Sequence, residues 1–175
     1  MAISKINASS INLADTYAFT GTVSGAGKVL QVVTAVDTAG RQSTSTSFVT
    51  ASSTATINIT PSATSSKIYV VCSGNFHCND GNDGWYATIY RDSTNLGNAN
   101  SGLAHGNSVP GVSVNYLPTC MTILDSPNTT SQVTYQLYIR LQDMDSDGGN
   151  VSIGYNVQGS SDYEPTHITA FEIAG

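Results

Sequence analysis

The stretch SQVTYQLYIRLQ, residues 131–142, decides the fold. From Val133 onward every second residue is apolar. Val133, Tyr135, Leu137, Ile139 and Leu141 share one parity; Thr134, Gln136, Tyr138 and Arg140 take the other. Side chains of a strand alternate between faces, whereas a helix would need apolar residues three or four apart. A β-strand lying with one face on a core is therefore predicted over 131–142.

Downstream runs QDMDSDGGNVSIGY, residues 142–155, with Asp143, Asp145 and Asp147 at alternate positions before Gly148. Calcium loops begin this way. A helix–loop–helix calcium site also needs a bidentate glutamate at loop position twelve. Counted from Asp143 that position is Gly154, and the flanks read as strands. That motif is excluded. The plain reading is a β-hairpin with SDGG at its tip, since aspartate and glycine tolerate left-handed turns. The alternative is a calcium site of another kind at Asp143, Asp145 and Asp147. A second acidic loop, HCNDGNDGW (77–85) with Asp80 and Asp83, would bring five carboxylates together if both loops share one end. Otherwise no cofactor is expected.

Period-two alternation and β-branched residues recur elsewhere, marking strands over 28–36, 41–50, 55–60, 84–92, 117–125, 150–158 and 167–174. KIYVVCSG (67–74) is an apolar run expected to be buried on both faces. About nine short strands separated by turn signals argue for an all-β antiparallel sandwich, and an eight-stranded jelly roll fits best. The glycine- and asparagine-rich stretch 95–116 reads as a long functional or covering loop. Residues 1–27 read differently. Ile6, Ile11, Leu13, Tyr17 and Phe19 stand among polar residues ahead of a Ser-Gly-Ala-Gly hinge, the pattern of an attachment arm. The division is thus an arm over 1–27 and a sandwich domain over 28–175.

Only 10% of the 175 residues are charged, and the net charge is −6. The six basic residues are scattered, so no stripe exists to neutralise phosphates, and nucleic-acid binding is not expected. No apolar run reaches membrane-span length, and none near the start has signal-peptide length; a soluble chain made without a visible signal is expected. Of the three cysteines, Cys72 and Cys120 read as core residues and Cys78 as a loop residue. His77, His105 and His167 lack metal-ligand spacing and read as polar loop or strand-end residues. Asp162 and Glu164 are close but sit beside Pro165 in a turn, and no nucleophile motif is present, so no enzyme is expected. Candidate surface contacts are Asp80, Asp83, Trp85, Tyr116, Tyr155 and Tyr163, because aromatic rings on loops stack on sugars or anchor protein contacts.

Several phrases, INLADTYAFTGTVSGAGKVLQVV, NITPSATSSKIYV, YRDSTNLG, LDSPNTTSQVTYQLYIR and HITAFEIAG, resemble a family of virion proteins of marine bacteriophages, those of cyanobacteria and of ocean heterotrophs. The likeness spreads over nearly the whole chain and carries no catalytic residues. It implies a trimeric, tumour-necrosis-factor-like jelly roll on the virion surface, made in the host cytoplasm. It also implies that the last strand lies near a threefold axis. The implied partners are two further copies of the chain, another virion protein held by the arm, and a host-surface glycan or protein. Host attachment at a fibre tip is the first expectation. Capsid decoration as a head fibre is the alternative, and a glycan-degrading enzyme the remote one.

Overall fold

A computed structural model describes residues 28–79, 82–107, 116–144, 148–155 and 163–175. The arm positions Ile6, Ile11, Leu13, Tyr17 and Phe19 lie outside these. Among the described residues there are twelve strands and no helix: β1 (Val29–Asp37), β2 (Arg41–Ser43), β3 (Val49–Thr50), β4 (Thr56–Ile59), β5 (Lys67–Cys78), β6 (Gly84–Arg91), β7 (Thr94–Asn95), β8 (Ala104–Asn107), β9 (Leu117–Asp125), β10 (Val133–Gln142), β11 (Val151–Ile153) and β12 (Thr166–Ile173).

All pairings are antiparallel. The first sheet runs β1–β12–β5–β9, with β11 and β2 continuing beside the far end of β5. The second has β3 and β4 on one side of β10, and β6 on the other, followed by β7 and β8. First and last strands are thus neighbours at one edge, and the chain switches sheet repeatedly, as a jelly roll does. The parity of β10 is as expected: Val133, Tyr135, Leu137, Ile139 and Leu141 are all buried. They pack on Ile68, Val70 and Cys72 of β5 and on Ile168 and Ala170 of β12 within one core.

Five expectations about strands and connections are corrected. The segment 41–50 is two short strands, β2 in the first sheet and β3 in the second. Between them Ser43 and Ser45 hydroxyls accept from the amides of Ser45 and Ser47 at 3.1 and 3.2 Å. Such local bonds compete with a ladder and let the chain cross. The connection after β10 is not a hairpin, because β10 and β11 belong to different sheets; Gly148 within it has φ +83°. Strand β5 is longer than expected and alternates: Ile68, Val70 and Cys72 are buried, but Tyr69 and Val71 only partly. Strand β11 stops at Ile153, where Gly154 takes φ +74° and ends the extended run. The stretch 95–116 also contains β8, which pairs with β6.

Three polar ties hold the sandwich. Glu172, fully buried on β12, accepts from the Ser62 amide (2.7 Å), the Ser62 and Ser66 hydroxyls (both 2.6 Å) and Gln31 Nε2 (2.6 Å). Burial alone would raise its pKa; these donors outweigh burial and hold it down to about 2. Asp125 of β9 takes both contacts of Arg91 Nη1 (2.8 and 2.7 Å) and the Tyr135 hydroxyl (2.7 Å), joining the two sheets. Asp37 is paired with Arg41 (2.8 Å) and accepts from the Ala39 amide and the Ser52 hydroxyl. Burial opposes its ionisation, but the Arg41, Ser52 and Ala39 donors more than compensate and lower its pKa.

Candidate functional site

The register gives the sandwich two unlike ends. At one, Val29 pairs with Ile173 and Ile173 with Lys67, so β1 begins where the seven-residue turns 60–66 and 126–132 lie. This is the arm end. Two turn residues there, Asp92 (φ 52°) and Asn128 (φ 53°), adopt the left-handed conformation that asparagine and aspartate tolerate best. At the opposite end Gly84 pairs with Gln142 and Asn107, Phe76 with Leu117, and Cys78 with Val151. The connection between β5 and β6 and the longer ones between β8 and β9, β10 and β11, and β11 and β12 all leave from it.

Three of the candidate tyrosines meet at this loop end. The His77 ring lies 4.6 Å from Tyr116 and 5.9 Å from Tyr155, both edge-on. Tyr155 in turn meets Tyr163 edge-on at 5.2 Å, and their backbones form an isolated bridge. Edge-to-face pairs of this kind add about 0.5–1.5 kcal/mol beyond burial. Gly40 makes room for them: a Cβ there would stand 2.5 Å from Tyr163 and 2.6 Å from Tyr155. Tyr163 is the outermost member, 39% exposed.

His77 was not expected here. It lies on the extended end of β5, paired with Ser152 and only 5% exposed. Burial pushes its pKa below the ordinary 6.5. Nδ1 is buried without a hydrogen-bond partner among the described residues. The imidazole is therefore expected to titrate below 6.5, read from its C2 proton by NMR. Between that lower value and 6.5 the unfolded chain binds more protons than the native one, so this group makes stability fall as pH drops through that window.

Beside the cluster, on the outer side of the first sheet, lies an open cleft of about 520 Å³. Ser73, Gly74, Asn75, Pro118, Thr119, Cys120, Glu164 and Pro165 line it. Asn75 donates to the Tyr155 carbonyl at 3.2 Å, and the Glu164 amide donates to the Gly154 carbonyl at 2.8 Å, so cleft and cluster share a frame.

Two of the expected surface contacts are corrected. Trp85 is 2% exposed because its ring stacks on Phe76 at 4.9 Å inside the core. Asp83 is fully buried and accepts from the Met144 amide at 2.8 Å, stitching two loops together. Asn79 and Asn150 do the same through bonds of 2.7 and 3.2 Å. The two acidic loops thus share one end. Asp143 is exposed there, and Asp80, Asp145, Asp147 and Asp162 lie outside the described residues. Among the described residues no group of three His, Cys, Asp or Glu is placed to hold a metal. Cys78 is buried in β5, whereas Cys120 faces outward on β9, the reverse of expectation.

No protein-family model matches the chain, and no curated protein does. Among solved structures it is similar to the VP2 protein of infectious bursal disease virus in T=1 particles, with TM-score 0.40 and 18% identity over 82% of this chain and 36% of that one. The Gx strain of the same virus gives 0.39, 17%, 82% and 36%. The Gt strain gives 0.37, 15%, 83% and 38%. The chain thus spans little more than a third of the viral chains it matches. At these scores the likeness carries no weight for function.

Proposed function

We propose that this chain is a non-catalytic structural protein of a bacteriophage virion, a homotrimeric fibre or fibre-tip module that attaches the particle to a host surface. The observation that carries the reading is the opposition of the two ends. The arm enters β1 among tight, hydrogen-bonded turns, while the long connections and the Tyr116–His77–Tyr155–Tyr163 cluster stand at the far end. An attachment side held by hydrogen-bonded turns and a contact side rich in loops and aromatic rings suit an adhesin. Tyrosine supplies large contact area at low conformational cost, and pyranose rings stack on such faces. The cleft beside Glu164 adds hydrogen-bonding groups for a sugar.

The test is adsorption of the purified full chain to host cells and to an array of bacterial surface polysaccharides. Saturating protein is expected to compete with the phage for adsorption. Tyr163→Ala is expected to weaken polysaccharide binding about tenfold, near 1.4 kcal/mol. Full infection in the presence of saturating protein, with no polysaccharide bound, would remove the adhesin reading. Antibody labelling of the capsid shell rather than the tail would move the protein to the head-fibre role. Shortening of the polysaccharide would make it an enzyme.

A further inference from the structure

The cleft at the loop end has a one-sided supply of polar groups. Ser73 and Asn75 share the outward parity of β5, and in the register they stand beside Cys120 and Pro118 of β9. The other wall comes from Glu164 and Pro165. That wall is pinned on both sides. Tyr163 bridges to Tyr155, the Glu164 amide is bonded to the Gly154 carbonyl at 2.8 Å, and from Thr166 onward the chain is paired with β1. Glu164 is exposed, so its side chain is free of the bonds that hold its backbone.

Among the side chains that line the cleft, donors are spent and acceptors are not. Asn75 Nδ2 donates to the Tyr155 carbonyl at 3.2 Å, and a carbonyl accepts only, so the orientation of this amide is fixed. Asn75 is 7% exposed, and its Oδ1 has no donor among the described residues. That oxygen is shielded from solvent; it contributes negative potential at the floor rather than a contact. The Thr119 hydroxyl is committed to the Leu117 carbonyl at 3.0 Å. Glu164 adds a carboxylate, an acceptor only. No lysine, arginine or histidine is among the lining residues, and His167, beside Ser73 in the register, is not one of them. Pro118 and Pro165 supply apolar wall. An anion entering here meets a carboxylate and an uncompensated amide oxygen with no cation to pair with. A group that brings its own N–H or O–H donors finds acceptors.

We propose that this cleft is a sugar subsite for a pyranose that bears hydroxyl or amine donors and no negative charge, and that Glu164 is the residue that selects it. The proposal rests on the adhesin reading above and names the class of glycan it takes. The volume of about 520 Å³ lies within the roughly 300–1,000 Å³ of small-molecule sites. A pyranose matches the lining: its C–H face packs on the prolines, and its edge hydroxyls or amine donate to Glu164 and Ser73. Because the wall is already held by Tyr155 and Gly154, little ordering is left for the ligand to supply.

Cys120 makes the cleft testable without a label. It is the exposed cysteine of the three; Cys72 and Cys78 are buried. In the native full chain N-ethylmaleimide is expected to modify Cys120 alone, read by mass. Mannan, chitosan oligosaccharide and alginate serve as the neutral, amine-bearing and uronate-bearing probes. Mannan or chitosan is expected to bind about tenfold more tightly than alginate and to slow the alkylation of Cys120. The better of the two tells whether hydroxyls or ammonium groups are the donors. Glu164→Gln is expected to weaken the preferred sugar about tenfold and to narrow the difference from alginate, with an unchanged melting temperature, since the backbone makes the structural bond. Alkylated wild type should lose the sugar, whereas the reagent should change nothing in Cys120→Ser. Tighter binding of alginate would overturn the ligand class. Sugar bound equally by wild type, Glu164→Gln and the alkylated chain would overturn the cleft and leave the adhesin reading to the tyrosine cluster. Binding to none of the three probes would overturn the subsite, and uninhibited infection in the same preparation would remove the adhesin reading with it.

Discussion

Replacing Glu172 by alanine is expected to lower the unfolding free energy by about 3–5 kcal/mol, the range seen when one side of a buried charged network is removed. For a domain of this size that lowers the melting temperature by roughly 10 °C or more. The cause is local. Without the carboxylate, the Ser62 amide and hydroxyl, the Ser66 hydroxyl and the Gln31 amide lose their shared acceptor. Buried donors left without partners cost about 1–3 kcal/mol each, although hydroxyls recover part of this by rotating. The same carboxylate predicts an acid limb. Its pKa is about 2 in the folded chain against an ordinary 4.5, so its contribution is complete above 4.5 and is lost as pH falls from there toward 2. By that shift the limb amounts to on the order of 3 kcal/mol. Thermal unfolding between pH 2 and 6 should show it in wild type, and Glu172→Ala should flatten it. An alanine variant that melts with wild type at neutral pH would mean that Glu172 is not the tie between β12, β1 and the 60–66 turn.

That network also joins two phrases on which the resemblance to marine phage proteins rests. ITPSATSSKI contributes Ser62 and Ser66, and ITAFEIAG contributes Glu172. Read singly, each is a turn or a strand. Together they are one hydrogen-bonded lock between segments 106 to 110 residues apart.

How much was legible follows from parity. In 131–142 the alternation is regular, and the structure buries the residues it marks; in 167–174 the inward parity is Ile168, Ala170 and Glu172, while the apolar Phe171 and Ile173 fall on the outward one. Glu172 shares the parity of Ile168 and Ala170, so its inward direction could be read, but not its partners, which sit far along the chain. In LPTCMTILD, parity sets Cys120 with Thr122 and Leu124 and against Met121 and Ile123; reading the apolar run as a block lost that distinction. Cys78 was misplaced, and the burial of the strand-end His77 missed, because the strand was ended at Gly74, whereas pairing with β11 carries it to Cys78. Trp85 and Asp83 looked like loop contacts because they lie in the acidic loop read over 77–85. Their burial comes from Phe76 and from Met144, contacts between strands and loops distant in sequence. Tyr116, Tyr155 and Tyr163 were chosen singly, and their convergence on His77 is a product of the topology alone.

Phe76→Ala is the second substitution expected to have a large effect, about 3–5 kcal/mol, as for other large aromatic deletions from a core. Phe76 sits where three strands meet, its backbone paired with Ile153 of β11 on one side and Leu117 of β9 on the other. Its ring crosses the sandwich to stack on Trp85 of β6 at 4.9 Å, and both side chains are essentially fully buried. Around Trp85 the packing is already tight: a Cβ at Gly106 would lie 2.7 Å from Leu117 and 2.8 Å from the indole. Removing the phenyl ring therefore opens a cavity directly beneath the loop end, where β9, β11 and β6 begin or end. The chain has one tryptophan, so the event is visible without a label. Wild-type emission should be blue and poorly quenched by acrylamide; Phe76→Ala should shift it red and raise quenching. The arm end, held by Glu172 and by the Arg91–Asp125–Tyr135 tie, should keep its amide protection while exchange rises in β11 and the start of β6. If the loop end is the contact surface, polysaccharide binding should fall in this variant while the sedimentation of the assembly does not change. An unquenched, unshifted tryptophan in Phe76→Ala would show that the two sheets do not meet through this pair.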